Sequence, residues 1–362
     1  MMNRIEIIRQ YADGIIENMP KADERKEAYI HTYGVAECCA LLAGKRGPDA
    51  ELALISGLLH DLYAYKSGSY SCHSQSGAEM ARAALKHMKI TNDDEQKIIL
   101  SAIYHHANKD LVHDEYDEIL KDADVLQPFL NDAGSRIFHL ALPRLNHLRN
   151  ELGISANPAV YGSTQQNNTS RAGIRQQLAD IAEMLASRKI CGKKSNQDFM
   201  DLIHYYPEAS AFNELIHGWC AAFVYHCCIK AGMELPIKSP PASCRFAGVG
   251  AWYEWGKAMG YCHFVKDGFI PDRGDIVIYD NIIPAENKPE DSLWHDHIGV
   301  VLDCRPDQLK VAEGNINNKN IAGILMREQD KTIGCYLRIP DDYQYDGWKY
   351  DYKTGQVRIE KY

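Results

Sequence analysis

Apolar residues recur at helical spacing along the first 150 residues of the chain. Residues three and four positions apart lie on one face of an α-helix, so each such series marks a buried helix face. Three series are clear: Val35, Cys38, Cys39 and Leu42; Leu52, Ile55, Leu58 and Leu59; Ala78, Ala81, Leu85 and Met88. Strand-like alternation is rare here. The pattern therefore predicts an all-α region over residues 1–150.

The pattern changes in the second half of the chain. A polar run over residues 154–172 has no period and predicts a loop, and a helix is predicted around residues 174–187. A further helix near residues 218–231 precedes short β-rich runs at 275–279 and 298–302, which turn residues separate. We therefore predict a helical domain over residues 1–150, a linker and connecting helix over 151–190, and a domain of mixed α and β structure over 191–362.

Length and composition agree with a protein of more than one domain. A chain of 362 residues exceeds the size at which a single hydrophobic core usually keeps growing. Its content of 45% hydrophobic and 25% charged residues is that of an ordinary globular protein. A net charge of −9 gives no general electrostatic footprint for nucleic acid or for an anionic membrane. We therefore expect small molecules or proteins as partners, and neither nucleic acid nor membranes.

The chain also lacks the usual signs of export. Charged residues interrupt the first ten positions, so no signal peptide is predicted, and no later stretch reaches membrane-spanning length. The eleven cysteines are odd in number and scattered, with adjacent pairs at Cys38-Cys39 and Cys227-Cys228. This usage favours reduced thiols over a disulfide framework, and we expect a cytoplasmic protein.

Candidate metal ligands occur throughout the helical half. They are His31, the pair His60-Asp61, His73, the pair His105-His106, and Asp122 or Asp124. Imidazole and carboxylate together suit Mn, Fe, Co, Ni or Zn, and ligands from several helices can meet in the core of a bundle. A His-Asp doublet alone is equally well explained as a helix end beside an acidic cap.

Periodicity distinguishes between some of these neighbours. The apolar stripe of Ile98, Ile99, Ala102 and Ile103 has its centre at His106, whereas His105 lies at its edge. His106 is therefore predicted to point inward. The same test does not separate Asp122 from Asp124, which flank the apolar face of their helix on opposite sides.

The order of these residues resembles the HD-domain phosphohydrolase superfamily over about residues 25–132. The motifs that carry the resemblance are His31 with Val35-Ala36, Gly57-Leu58-Leu59-His60-Asp61, His73 with Gly77-Ala78, Tyr104-His105-His106, and Asp122-Ala123-Asp124. The resemblance implies that His31, His60, Asp61 and Asp124 hold one divalent metal ion. His73 and His106 match the extra positions of members that hold two. It further implies metal-dependent hydrolysis of a phosphoester or phosphoanhydride in a phosphorylated small molecule such as a nucleotide.

A second candidate site begins at Gly218-Trp219-Cys220. On a helix starting here, Cys220 shares a face with Phe223, Val224 and Cys227, which places its thiol at the N-terminus of a buried helix. That position favours a thiolate and supplies backbone N–H groups for an oxyanion, whereas Cys227 is predicted to be packing. The simpler interpretation of Cys220 is a small buried hydrophobic residue.

Possible partners for this thiol follow later in the chain. His297 begins a predicted strand, and His295 is the alternative base. Glu313 and Asn315 are two positions apart, so on an extended strand their side chains would point to the same face. A base and an orienting group are what a thiol nucleophile requires.

Residues 213–340 resemble the CHAP family of cysteine, histidine-dependent amidohydrolases and peptidases. The resemblance rests on Trp-Cys-Ala-Ala-Phe-Val, Gly-Asp before a strand, His-Ile-Gly-Val-Val and Glu-Gly-Asn. It implies a papain-like α+β fold with a small antiparallel sheet, with Cys220 as nucleophile and His297 as general base and acid. Glu313 and Asn315 would orient the histidine or support the site. The implied reaction is amide hydrolysis through a thioester, commonly on peptidoglycan-derived peptides.

These expectations combine into a two-module hydrolase, in which one site cleaves a phosphorylated small molecule and the other an amide. Two alternatives remain open. The helical module could be a nucleotide sensor that regulates the cysteine module without turnover. The protein could also be a phage-like cell-wall lysin or toxin, although no export signal or wall-binding repeat is evident.

Overall fold

The chain divides into two compact units, each with a core of its own. Unit 1 comprises Met1–Asn168 and Asp351–Gln356, and unit 2 comprises Thr169–Tyr350 and Val357–Tyr362. The computed structural model describes residues 3–132, 136–138, 141–154, 159–161, 173–208, 210–239, 242, 244–280, 282, 295–345 and 348–359. Most of the polar run predicted as a loop over residues 154–172 lies outside the described residues.

Unit 1 is mainly helical, as the apolar pattern predicts. Its helices are α1 (Arg4–Glu17), α2 (Ala22–Arg46), α3 (Ala50–Leu59), α4 (Leu62–Ser67), α5 (His73–Met88), α6 (Asp93–His105), α7 (Glu115–Asn131) and α8 (Leu142–Leu152). Side-chain caps begin several of them: Asp49 accepts hydrogen bonds at the start of α3, and Asn92 forms a capping box with Glu95 at the start of α6. Gly47, with a φ of 112°, ends α2.

The first strand differs from the all-α prediction over residues 1–150, and the second lies in the segment predicted as a linker. β1 (Arg136–Phe138) pairs in parallel with β2 (Ala159–Tyr161). Each strand has three residues. A run that short is not long enough to display the two-residue alternation by which a strand is recognised.

Close helix packing brings the first candidate residues together. A Cβ on Gly57 of α3 would lie 2.7 Å from the Cα of Ala36 on α2, so only glycine allows these helices to approach so closely. The His60-Asp61 doublet stands where α3 ends and α4 begins, and Asp61 has left the helical conformation, with φ −104° and ψ 0°. The doublet is thereby placed at a break in the helical chain, against the middle of α2.

Unit 2 combines five helices with a six-stranded sheet among its described residues. The helices are α9 (Ile174–Ser187), α10 (Gln197–Ile203), α11 (Ala211–Leu215), α12 (Cys220–Lys230) and α13 (Val249–Met259). The strands are β3 (Cys262–His263), β4 (Ile276–Tyr279), β5 (His297–Arg305), β6 (Gln308–Glu313), β7 (Gly323–Glu328) and β8 (Ile333–Leu337). They lie in the order β3-β8-β4-β5-β6-β7, and every pairing is antiparallel. The predicted small antiparallel sheet is confirmed.

One face of this sheet carries an apolar cluster together with candidate polar residues. Val301, Leu309 and Val311 belong to the buried cluster. Side chains two positions apart along a strand point the same way, so His297 of β5 and Glu313 of β6 share that face. Both are buried.

The helices of unit 2 pack on the sheet. α9, predicted as a connecting helix, contacts β5, β6 and β7, and α12 contacts β5. α12 is buried on every side from Cys220 to Cys228, and not only on the face that carries Cys220, Phe223, Val224 and Cys227. A helix enclosed on all sides has no polar face, so periodicity alone does not identify its inner side.

The remaining described strands are β9 (Trp348–Asp351) and β10 (Gln356–Ile359), which pair with each other. The turn between them belongs to unit 1, where Lys353 forms an ion pair of 2.7 Å with Asp114. Within the described ranges, no helix has the combination of length and hydropathy that crossing a bilayer demands.

Candidate functional site

Six side chains predicted as metal ligands converge in unit 1. They come from five elements: His31 from α2, His60 and Asp61 from the α3–α4 junction, His73 from the start of α5, His106 from the end of α6, and Asp124 from α7. Their ligand atoms form three overlapping groups within which every atom lies within 4.8 Å of the others. The structure thus brings together all six residues that the family resemblance implies as metal ligands.

Asp61 stands at the centre of this cluster and bridges two halves of it. Its Oδ2 atom lies 3.6 Å from His31 Nε2 and 3.5 Å from His60 Nε2. Its Oδ1 atom lies 3.4 Å from His73 Nε2 and 3.3 Å from His106 Nε2. One carboxylate therefore presents one oxygen to each pair of imidazoles.

Asp124, and not Asp122, belongs to the cluster. Asp124 Oδ1 lies 3.2 Å from His31 Nε2, and its other oxygen contacts the ammonium of Lys109. The carboxylate of Asp122 instead accepts hydrogen bonds from Arg46 at 2.7 Å and from Arg144 at 2.6 Å. The two neighbours, which periodicity could not separate, thus have different partners.

His105 is likewise outside the cluster. Its Nδ1 atom lies 3.0 Å from Asp117 Oδ2, and its ring stacks on that of His113 with 4.0 Å between centroids. His106 is almost fully buried, as its position on the apolar stripe predicts.

The hydrogen bonds of the four clustered histidines determine which nitrogen faces inward. The Nδ1 atoms of His60, His73 and His106 lie 2.7–2.8 Å from the backbone carbonyl oxygen three residues earlier. His31 Nδ1 lies 2.9 Å from Gln127 Oε1. A carbonyl oxygen only accepts, so each Nδ1 donates its proton and each Nε2 is left with a lone pair. This outer hydrogen bonding is typical of metal-ligating histidines.

The inward-facing atoms fit a divalent cation. His31 and His60 bring their Nε2 atoms within 3.3 Å of each other, and His73 and His106 within 3.0 Å. Facing lone pairs repel unless a cation or a proton lies between them. In addition, Asp61 Oδ1 is buried, and among the described residues its neighbours at 3.3 and 3.4 Å are the Nε2 atoms of His106 and His73. Imidazole nitrogens combined with carboxylates form a donor set that suits several divalent transition metals.

Electrostatics in the cluster differ from one ligand to the next. Burial lowers the pKa of His60 to about 4, which keeps its imidazole neutral as a ligand must be. Burial would also lower the pKa of His31, but the hydrogen bond to Asp124, the negative charges of Asp124 and Asp61 and the hydrogen bond to Gln127 together outweigh that effect and raise the pKa to about 9. A proton and a cation therefore compete for His31 Nε2.

The sequence alone did not identify two further residues near the cluster. Gln127 contacts His31, and Lys109 contacts Asp124. Gln127 lies three residues after Asp124, on the same face of α7, so helical spacing could have found it. A cavity of about 700 Å³ reaches His31 and Asp61 and is also lined by Lys66 and Tyr70. A small phosphorylated molecule fits a cavity of this size.

Three of the residues predicted for the thiol site, Cys220, His297 and Glu313, lie together in unit 2. Cys220 is the first residue of α12, where free backbone N–H groups favour negative charge. Its thiol is in hydrogen-bonding contact with the imidazole of His297. Burial would lower the pKa of His297, but Cys220 and Glu313 outweigh burial and raise it to about 10. A thiol beside a readily protonated imidazole is the arrangement of an activated nucleophile.

Glu313 completes the group. Its Oε2 atom lies 2.9 Å from His297 Nε2, so Nδ1 is the ring nitrogen that remains for Cys220. Glu313 has no solvent exposure, and Arg327 donates to both of its oxygens, at 2.9 Å and 2.5 Å. Burial would raise the pKa of this carboxyl group, but the hydrogen bonds from His297 and Arg327 hold it below its usual value.

Two glycines explain why the motifs around this site have their particular sequence. A Cβ on Gly299 would lie 2.8 Å from Glu313 Cγ, and one on Gly314 would lie 2.5 Å from Phe223 Cβ on α12. Glycine at these positions lets Glu313 lie over β5 and lets the end of β6 approach α12. Both glycines therefore allow Cys220, His297 and Glu313 to lie close together.

Asn315 and His295 are placed differently from these three. Asn315 lies beyond the end of β6 with a φ of 52°, so the expected alternation along an extended strand does not reach it. Its amide donates to the carbonyl oxygen of His217, just before α12, at 3.4 Å. His295 Nδ1 lies 2.5 Å from Asp280 Oδ1, and its ring packs against Tyr253. Neither side chain has a described contact with the thiol.

Comparison with known proteins supports the N-terminal assignment. The family model described as HD domain matches residues 28–128. No curated protein matches the chain. Among solved structures, the chain is similar to a predicted HD superfamily hydrolase from an uncultured Thermotogales bacterium, with 24% identity over 41% of this chain and 83% of that one and a TM-score of 0.30. By the family match and by the helical fold that gathers these histidines and aspartates, residues 28–128 form an HD domain.

Proposed function

We propose that unit 1 is a metal-dependent phosphohydrolase that acts on a phosphorylated small molecule, most simply a nucleotide. The observation that carries this proposal is the set of four imidazole Nε2 lone pairs and two carboxylates that face one another. When bound there, a divalent ion supplies Lewis acidity, which activates water and neutralises phosphate charge. The side chains hold and orient the reacting groups, and Lys66 on the wall of the cavity provides a cation for a phosphate oxygen.

The arrangement around Asp61 supports two adjacent ions in place of one. Its two oxygens face different histidine pairs, His31 with His60 and His73 with His106. Removal of His73 would then affect one ion and leave the other. Metal-to-protein ratios near two for the intact protein and near one for His73→Ala would support this proposal, whereas equal ratios would favour a single ion.

The test of the phosphohydrolase is phosphate release from a panel of nucleotides and sugar phosphates. The protein is stripped with a chelator and then supplied with Mn, Fe, Co, Ni or Zn. We expect hydrolysis only with metal, and in His106→Ala a loss of activity together with the ion that His73 and His106 share. His105→Ala is the matched control, because the imidazole of His105 is next to His106 in the sequence but lies outside the cluster. A protein that retains no metal and hydrolyses nothing with any of these ions would contradict the proposal, and recovery of a bound nucleotide uncleaved would favour the sensor alternative.

We propose further that unit 2 is a cysteine-dependent amidase or peptidase of papain-like arrangement. The observation that favours it is the group of Cys220, His297 and Glu313, in which a helix-terminal thiol meets a base that a buried carboxylate orients. His297 takes the thiol proton, the thiolate attacks an amide carbonyl, and the amine leaves with that proton. Water then hydrolyses the thioester.

Selective alkylation tests this thiol without knowledge of the substrate. We expect iodoacetamide at neutral pH to modify Cys220 ahead of Cys227 and Cys228, which are fully buried, and Cys220→Ala to remove that modification. Cys220→Ala should also abolish hydrolysis of any peptide or peptidoglycan fragment that the intact protein cleaves. Uniform modification of all eleven cysteines would refute the proposal. Lysis of bacterial cell walls by the protein would favour the lysin alternative.

A further inference from the structure

Arg327 contacts the proposed thiol site through Glu313. It lies on β7, at the edge of the sheet, and its guanidinium donates through Nε to Glu313 Oε1 at 2.9 Å and through Nη2 to Oε2 at 2.5 Å. A third bond of 3.1 Å runs from Nη1 to Asn317 Oδ1. The guanidinium also lies 5.7 Å from the centre of the Tyr279 ring. Arg327 is therefore fixed on several sides.

Glu313 depends on this arginine because of where it is buried. The carboxylate has no solvent exposure, and His297 engages only Oε2, so Arg327 is the described donor to Oε1. The titratable and charged groups that face Glu313 are His297 from β5, Arg327 from β7 and Tyr279 from β4. Cys220 from α12 faces His297 in turn. A buried carboxylate that loses a charged partner tends to take up a proton or to move.

We propose that Arg327 is a positioning residue of the thiol site, which keeps Glu313 ionised and in place so that Glu313 can orient His297 towards Cys220. This inference rests on the proposed thiol function. It links the site through a series of contacts, from the Cys220 thiol through the His297 imidazole and the Glu313 carboxylate to the Arg327 guanidinium. Glu313 and His297 lie between Arg327 and Cys220 in this series of contacts, so the effect of Arg327 on Cys220 is indirect.

The rate of Cys220 alkylation as a function of pH tests this role, with peptide mapping to identify the modified cysteine. In Arg327→Met, Glu313 loses the charge that keeps it ionised, and the thiolate loses stabilisation through His297. We expect the rate at pH 6 to fall about tenfold and its rise to move about one pH unit higher. Arg327→Lys keeps the charge but loses the two-pronged hydrogen bond, so an intermediate rate is expected.

The chain offers a matched control in Arg338. This arginine also donates two-pronged to a fully buried carboxylate, that of Asp275, at 3.0 Å and 2.6 Å, and it also lies over an aromatic ring, that of Phe269. Arg338→Met should therefore cost similar stability and leave the alkylation profile of Cys220 unchanged. In each variant, resistance of Cys227 and Cys228 to alkylation shows that unit 2 is folded. If Arg327→Met does not fold, Arg327→Lys takes its place in the comparison.

A double substitution separates action through Glu313 from a direct effect. In a Glu313→Gln background, we expect Arg327→Met to change the Cys220 rate by less than about twofold, because the carboxylate on which it acts is gone. An Arg327→Met protein that is folded and alkylates Cys220 with an unchanged or faster profile would overturn the inference, as would full additivity. If Cys220 is no more reactive than the other cysteines in the intact protein, the proposed thiol function fails as well.

Discussion

Asp122 and Asp124 are two positions apart on α7, and they show how local partners determine what a carboxylate can do. Asp122 is held by the guanidinium groups of Arg46 and Arg144. Asp124 faces His31 and His60 within the cluster of candidate metal ligands, and one of its oxygens contacts Lys109. The first carboxylate is committed to ion pairs, whereas the second can contribute an oxygen to a cation.

Paired amide substitutions should separate these two roles. Asp124→Asn is expected to weaken metal binding by more than the roughly 10- to 100-fold that loss of an outer-shell partner costs. Asp122→Asn should keep the metal and instead lower the free energy of unfolding by about 2–3 kcal/mol, because two arginines lose a largely buried partner. Elemental analysis and thermal melting measure the two effects. Loss of metal from both variants alike would contradict the assignment.

His226 predicts a pH dependence of stability in unit 2. Burial lowers its pKa from 6.5 to about 4. Between these pH values the unfolded chain binds the proton of His226 more tightly than the folded chain does. The contribution of neutral His226 to the free energy of unfolding is therefore complete above pH 6.5 and is lost as the pH falls towards 4. We expect a loss of about 2 kcal/mol between pH 7 and pH 5.

Denaturant unfolding followed by tryptophan fluorescence at both pH values measures this loss. In His226→Leu the dependence on pH should be smaller by that amount, while the exposed His217 provides a control in His217→Leu. A His226→Leu variant with the full dependence of the intact protein would show that other groups cause it.

Some of these residue assignments could be predicted from the sequence, and others could not. The apolar stripe correctly predicted that His106 is buried. Asp124 could be preferred to Asp122 only through a family resemblance, because both flank the same helix face. Arg327 could not be found at all, since its long side chain reaches Glu313 from another strand and no spacing along the chain encodes that contact.

The spacing between helices α2 and α3 depends on a single missing methyl group. The approach of Gly57 to Ala36 brings α3 against α2, the helix that carries His31, and α3 ends at His60. Element packing of this kind converts the order of residues in the chain into a cluster in space. The helices themselves were predictable from apolar spacing, whereas β1 and β2 were too short to show a pattern, and α12 is buried on every side.

Gly57→Ala is therefore expected to weaken the metal site from a distance. Its Cβ would meet backbone atoms, which cannot move aside cheaply, so we expect a loss of about 1–3 kcal/mol and weaker metal binding. Gly44→Ala on α2 is the control, because nothing lies within 4 Å of its added Cβ. That substitution should stabilise the helix by about 0.5–1 kcal/mol and retain the metal. Equal melting temperatures and metal contents for the two variants would argue against this account of the packing.

The whole chain contains two compact units, and its tryptophans happen to distinguish them. All five lie between residues 219 and 348, within unit 2, whereas unit 1 has none. Fluorescence therefore follows unit 2 alone, while circular dichroism in the helical region also follows unit 1. The change of pattern along the sequence predicted two domains, but it could not predict that a segment near residue 350 returns to unit 1, since that depends on contacts such as Lys353 with Asp114.

Metal addition should affect the two signals differently. A ligand that binds only the folded state at one hundred times its Kd adds about 2.7 kcal/mol, which raises the melting temperature of a unit this size by about 5–10 °C. We expect this shift in the helical circular dichroism transition of unit 1 and none in the tryptophan transition. Parallel shifts in both signals would show instead that the units unfold as one.

The return of Asp351–Gln356 to unit 1 has a consequence for biosynthesis. Ribosomes deliver the chain from its N-terminus, so the helices that carry all six proposed ligands emerge early, yet the turn between β9 and β10 emerges only after the whole sheet of unit 2 has been translated. The HD domain can therefore begin to fold while synthesis continues, but unit 1 is finished last.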